Sequence, residues 1–125
     1  MKDRFRFRVW LKDTNKMYNV HSLHIGTNKA IISSRYGNVS IYINKNSILM
    51  QSTGLKDKNS KLIYEGDRVY IDYEDETAII KWSDDLARFT IHFEDEAVFA
   101  DFDNYYSKEL EVIGNIYENS ELLKE

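Results

Sequence analysis

Apolar side chains recur at every second position through most of this chain, and that period constrains the fold more than any other feature. The clearest stretch opens at Gly66-Asp67, after which Val69, Ile71 and Tyr73 share a face. Glu74-Asp75-Glu76 makes an acidic turn, and Ala78, Ile80 and Trp82 share a face on the return. Beyond Ser83-Asp84-Asp85, the residues Phe89, Ile91 and Phe93 alternate with Arg88, Thr90 and His92. A last strand is predicted from about Glu109 to Tyr117, with Gly114 as a bulge or bend. The first half has the same rhythm. Phe5, Phe7 and Val9 oppose Arg4, Arg6, Arg8 and Trp10, and strand-like runs continue through Met17–Ile25, Ala30–Ile32, Val39–Ile43 and Ser47–Gln51. The breaks between them are Asp13–Lys16, Gly26–Asn28, Gly37-Asn38 and a polar loop from Gly54 to Lys61. With no Pro in the chain, these turns depend on Gly, Asn and Asp. The pattern predicts a mainly β protein of short antiparallel strands with at most short helical turns, the C-terminal half forming a small SH3-like or OB-like barrel. Asn119 is placed to cap a turn over Ser120–Leu123.

At 125 residues the chain is one domain's worth of material, 1–125, with enough core to fold without a staple. The absence of Cys excludes disulfides, thiolate metal sites and a cysteine nucleophile. No apolar run is long enough to span a bilayer, and the charged, aromatic N-terminus has no signal-peptide character, so the expectation is a cytoplasmic protein without membrane contact. The net charge of −4 conceals a split. Residues 1–63 carry 12 Lys and Arg against three acids, a net +9, whereas residues 64–125 carry five against 18, a net −13. Either the halves neutralise one another or a charged face seeks an opposite partner.

Catalytic and metal signatures are weak. The chain lacks a phosphate-cradling Gly loop, a Ser nucleophile elbow and a zinc-protease helix. His21-Ser22-Leu23-His24 has metal-like spacing only on a helix, because residues three apart on a strand point to opposite faces. Asp72, Glu74 and Glu76, and separately Asp101, Asp103 and Asn104, cluster oxygens without the spacing of a calcium loop. Glu94 and Glu96 would do acid–base work only inside a cleft. The expectation is no enzyme, no metal and no cofactor. Trp82 and Phe89 are expected in the core, as large apolar residues on strands. Tyr64-Glu65-Gly66-Asp67 is expected to form a strand's lead-in turn, Gly supplying an unusual φ and Asp bonding local backbone.

Four ordered stretches carry a family resemblance: Phe7-Arg8-Val9-Trp10 with Lys16-Met17-Tyr18; Gln51 through Asn59 with Ile63 through Asp67; Trp82-Ser83-Asp84 with Ala87-Arg88-Phe89; and Glu111 through Asn119. Together they resemble the YopX family of small phage and prophage proteins along almost the whole chain. Ser60 departs from the family's usual Gly in a Lys-Asn-Gly turn, and Ser120 from its usual Pro. The resemblance implies phage or prophage origin in Gram-positive-type hosts. It implies no reaction.

The sharpest local signal is the row Lys2, Arg4, Arg6 and Arg8, whose side chains on one strand face would stand ~7 Å apart with Trp10 beside them. Such a row fits three readings: a solvated strand face, a strand paired with Glu109 and Glu111 across a sheet, or a track for nucleic-acid phosphates with an aromatic stacking a base. Tyr18, Tyr36 and Tyr42 stand elsewhere in the same basic half. The acidic half admits a further reading, a DNA mimic offered to a host DNA-binding protein. The balance of these features predicts a non-catalytic macromolecule-binding module with a host or phage protein as partner. Nucleic acid is the alternative, and the separate positive and negative regions add an expected homo-oligomer.

Overall fold

The computed structural model describes residues 2–94, 99–102 and 107–118, and in these the period-two pattern becomes antiparallel strands joined by tight turns. The strands are β1 (Phe7–Leu11), β2 (Lys16–His24), β3 (Lys29–Ser34), β4 (Gly37–Tyr42), β5 (Ser47–Lys56), β6 (Leu62–Tyr64), β7 (Asp67–Ile71), β8 (Glu76–Ser83), β9 (Arg88–Phe93), β10 (Phe99–Asp101) and β11 (Leu110–Asn115). Helical structure among the described residues is confined to short 3-10 turns. The mainly β expectation holds. The cap at Asn119 and the turn over Ser120–Leu123 lie outside the described residues.

The chain divides into two compact units, Arg6–Gln51 and a larger one made of Met1–Phe5 with Ser52–Glu125. In the smaller unit the strand order is β4-β3-β2-β1-β5, so β1 is paired on both sides. Arg8 stands opposite Asn19 on β2 and Met50 on β5, and Trp10 opposite Met17 and Ile48. Val9, Ala30, Ile32 and Met50 are buried here. A register shift between Val20 and Ser22 puts a bulge at His21.

In the larger unit, residues beyond Gln51 in β5 pair with β6, and a five-stranded sheet runs in the order β10-β9-β8-β7-β11. Among the described residues no pair joins β10 to β11, so this half, expected as a small SH3-like or OB-like barrel, does not close on itself. Its inner face carries the alternating residues read from sequence: Val69 and Ile71, Ala78 and Ile80, and Ile91. Ile63, Phe102 and Leu110 complete the buried cluster, with Phe89, Phe93 and Val112 packed against it. Each full burial of such an aliphatic side chain is worth ~1.5–3 kcal/mol of transfer free energy. Tyr73 leaves the series because the strand stops at Ile71; it sits in a 3-10 turn, Asp72–Glu74, and is exposed.

Three buried polar side chains fix the loops of this unit. Asp57 Oδ1 accepts hydrogen bonds from the Asn59 and Lys61 amides, 2.9 Å each, and its Oδ2 accepts from the Val112 amide at 2.8 Å. One carboxylate thus closes its own turn and ties it to β11, beside a Lys58–Glu111 ion pair of 3.5 Å. Asp67 Oδ2 accepts from the Tyr64 amide at 2.8 Å, and Gly66 has φ +86°, as the lead-in turn required. Asn115 Oδ1 accepts from the Tyr117 and Glu118 amides at 2.9 and 2.8 Å, which ends β11 at Asn115 although the sequence carried the strand to Tyr117. The expected bulge appears as a register shift between Val112 and Gly114.

Among the described residues, five turns end on a non-glycine residue with positive φ: Asn15, Asn28, Ser60, Asp75 and Ala87. Asn and Asp tolerate this conformation because their side chains bond locally; Ser60 and Ala87 do so less readily. Position 60 is where the resembled family has Gly, and the backbone here explains that preference.

Candidate functional site: an overhanging aromatic hairpin

The basic row is not a row. Residues Lys2–Phe5 form a 3-10 turn and the strand begins only at Phe7, so Arg4 and Arg6 are not in strand register with Arg8. Arg4 is held where its backbone passes Gly54: φ there is +82°, and a Cβ on Gly54 would lie 2.9 Å from Arg4 Cβ. Its guanidinium stacks over the Phe5 ring at 4.7 Å. Arg6 is exposed, but Arg8 is 9% and Trp10 8% exposed, on a strand paired on both sides. Lys2 is placed by its backbone alone, its side chain lying outside the described part. Pairing with Glu109 and Glu111 across a sheet does not occur: β11 pairs with β7, placing Glu111 opposite Tyr70, while β1 pairs with β2 and β5.

A different element presents an aromatic side chain to solvent. The β7–β8 ladder ends at Arg68 opposite Ile79, and the β9–β10 ladder at Thr90 opposite Asp101, but β8 and β9 pair on to Ser83 opposite Arg88. The end of the β8–β9 hairpin therefore overhangs its neighbours. Trp82, expected in the core, is 43% exposed there for that reason. It is nonetheless held firmly. Its ring meets Phe89 edge to face, with centroids 5.0 Å apart, and its Nε1–H donates to Asp84 Oδ1 at 2.9 Å. Leu86, in the turn, is also exposed, and its amide bonds Ser83 Oγ at 3.2 Å.

Beside this edge lies an open hollow of about 460 Å³ lined by Lys81, Trp82, Ser83, Asp84, Asp85, Thr90 and His92. Thr90 is buried, and its Oγ1 lies 3.0 Å from His92 Nε2. Partial burial, and then the Lys81 charge, lower the pKa of His92 below its ordinary 6.5, so the ring is neutral at pH 7. A rigid aromatic edge flanked by the Asp84 and Asp85 carboxylates, a lysine and a neutral imidazole can dock against a surface. Trp82-Ser83-Asp84 was already visible as a motif, but its exposure depends on where the neighbouring strands stop, which no local pattern states.

The other sequence candidates are dispersed. His21 and His24 are both exposed, with His24 Nε2 3.4 Å from Ser22 Oγ. Asp72 and Glu74 lie in the 3-10 turn and Glu76 opens β8, while Asp75 between them accepts a hydrogen bond from the Tyr70 hydroxyl at 2.8 Å. No group of three potential metal ligands occurs among the described residues. Glu94 is paired with Arg68, and Asp101 with Arg88 at 2.9 Å. Glu96, Asp103 and Asn104 lie outside the described residues. No described helix is long and apolar enough to cross a membrane.

Comparison with known proteins gives a consistent result. The chain is similar to protein EF1440 from Enterococcus faecalis, whose crystal structure superposes with a TM-score of 0.63 at 32% sequence identity, covering 94% of this chain and 96% of that one. It shares the fold of protein yopX from Bacillus subtilis, with a TM-score of 0.57 at 22% identity, covering 95% of this chain and 98% of that one. Comparison with curated proteins returns no match. A family profile described as YopX protein matches residues 6–124, and the chain belongs to the YopX family.

Proposed function

We propose that this protein is a non-catalytic accessory module of phage or prophage origin that works in the host bacterial cytoplasm by binding protein, and that the β8–β9 overhang is its contact surface. The carrying observation is Trp82: a large aromatic side chain, half out in solvent yet fixed by Phe89 and Asp84. A ring already immobilised loses little conformational freedom on binding, which is why such side chains dominate interface energetics. Lys81, Asp84, Asp85 and Arg88 around it supply a polar rim of both signs. The first partner on this reading is a second copy of the chain, giving a homo-oligomer with an aromatic centre and a charged rim; a host or phage protein would use the same edge. Light scattering on the full chain, from about 50 mM to about 1 M salt, tests it. The expected result is an oligomer whose mass persists at high salt, because aromatic burial is not screened, and which Trp82→Ala converts to monomer. A strict monomer at every salt and protein concentration contradicts the oligomer, and an oligomer indifferent to Trp82→Ala contradicts the surface.

A further inference from the structure

From the geometry of the smaller unit we infer a second binding surface, independent of Trp82, that takes single-stranded nucleic acid. Between Arg6 and Gln51 there are seven Lys and Arg residues and one acid, Asp13, so this unit carries +6 while the whole chain carries −4. The overall acidity therefore does not describe what this unit presents. An open hollow of about 440 Å³ lies at the β3–β4 hairpin tip and is lined by Lys16, Tyr18, Ser33, Ser34, Arg35 and Tyr36. Tyr36 is 82% exposed in the two-residue loop between Ser34 and Gly37. The Arg35 guanidinium stands over its ring at 4.9 Å and donates from Nη2 to its hydroxyl at 2.7 Å. One ring face is thus occupied by a cation, and the rest of the ring is turned to solvent.

That arrangement matches the chemistry of an unpaired nucleotide. A base stacks on an exposed aromatic ring, and a cation beside the ring strengthens the stack. Lys16, exposed and without a side-chain partner among the described residues, and the remaining donors of Arg35 are within the same hollow for a phosphate. Ser33, exposed, adds a hydroxyl. A second cation–aromatic pair, Lys29 over Tyr42 at 5.0 Å, stands at the other end of the same hairpin, about 20 Å of strand away. A duplex is a poor occupant, since its bases are already stacked on one another and offer Tyr36 no free face. An acidic protein would satisfy the cations and leave the tyrosines without a role.

The test is fluorescence anisotropy of a labelled oligothymidine of about 15 nucleotides titrated with the full chain at low salt. Binding in the micromolar range is expected, weakening as salt rises, with Lys16→Gln lowering the logarithmic salt slope by about 0.7. Tyr36→Ala should weaken binding roughly 5- to 150-fold, and Tyr36→Trp should restore it. Because Tyr36 and Lys16 are exposed, unchanged thermal melts will show that these variants fold. Light scattering of Tyr36→Ala should report the same mass as the parent, so failure here and failure of the protein-binding surface are read separately. The inference is overturned by no binding at about 100 µM protein, by equal affinity for a duplex of the same length, by indifference to Arg35→Glu, or by polyglutamate displacing the oligonucleotide at matched charge, the last assigning the surface to acidic proteins.

Discussion

The middle strand of the smaller unit and the overhang of the β8–β9 hairpin each carry a tryptophan, and they treat it in opposite ways. Trp10 shares its strand with Arg8 and is buried, on a strand paired with β2 on one side and β5 on the other. Trp82 continues an apolar series with Ala78 and Ile80 and is exposed, because its hairpin outruns both neighbouring strands. For Trp82, exposure follows from where the adjacent ladders stop. On the proposed reading, Trp10 serves structure and Trp82 serves contact.

The largest expected effect breaks that comparison if it fails. Trp10→Ala should cost about 3–5 kcal/mol of unfolding free energy, the usual loss for a large buried aromatic, whereas Trp82→Ala should cost only about 1 kcal/mol for its edge contact with Phe89 and its hydrogen bond to Asp84. Urea denaturation followed by circular dichroism reads both. Equal losses would mean that Trp82 is a core residue after all.

Next in size is Asp57→Ala, which leaves three backbone amides without their carboxylate. Each unsatisfied buried donor costs ~1–3 kcal/mol, and partial hydration of the turn reduces the sum, so a loss of about 3 kcal/mol is expected in the same assay. The amide of Val112 should also lose hydrogen-exchange protection relative to Val69, which keeps its ladder partner. Unchanged protection at Val112 would show that Asp57 does not tie the turn to β11.

A smaller and opposite effect is expected from Ser60→Gly. Ser60 has φ +64°, where a Cβ is strained by ~1–2 kcal/mol and glycine is not, though glycine gains freedom in the unfolded chain. The net should be a stabilisation of about 0.5 kcal/mol, seen as a slightly higher Tm. A lower Tm would show that the serine hydroxyl contributes to the turn.

The smallest effect concerns His92. Its folded pKa lies below the unfolded 6.5, so the unfolded chain binds the proton more readily. The stabilisation from keeping it neutral is complete above pH 6.5 and is lost as pH falls through the lower folded value. Between pH 7.5 and pH 5, Tm should fall more for the parent than for His92→Gln, by a small margin. A parallel fall would remove His92 from the account.

Much of the larger unit was legible in sequence. Val69 and Ile71, Ala78 and Ile80, and Ile91 alternate because their sheet buries one face, and Gly66-Asp67 and Gly114 mark backbone that departs from regular extension. The smaller unit was less so. The alternation from Phe5 to Trp10 reads as one strand, but residues Lys2–Phe5 turn, with Arg4 held against Gly54, a constraint fifty residues distant in sequence. Lys16, Trp82, Asp84 and Arg88 lie in stretches that the sequence singled out, whereas Ser33, Arg35 and Lys81 do not. Sequence periodicity reports which face a side chain takes, and exposure on that face depends on ladder ends and on strands paired from elsewhere in the chain.

The most direct measurement of the central claim is acrylamide quenching of two single-tryptophan proteins, Trp10→Phe and Trp82→Phe, as protein concentration is raised. The account predicts that Trp82, alone in the first, is readily quenched when dilute and becomes protected as the oligomer forms, while Trp10, alone in the second, is shielded throughout. Trp82 equally accessible at every concentration while light scattering reports an oligomer, or Trp10 quenched as readily as Trp82 in the dilute protein, would contradict it.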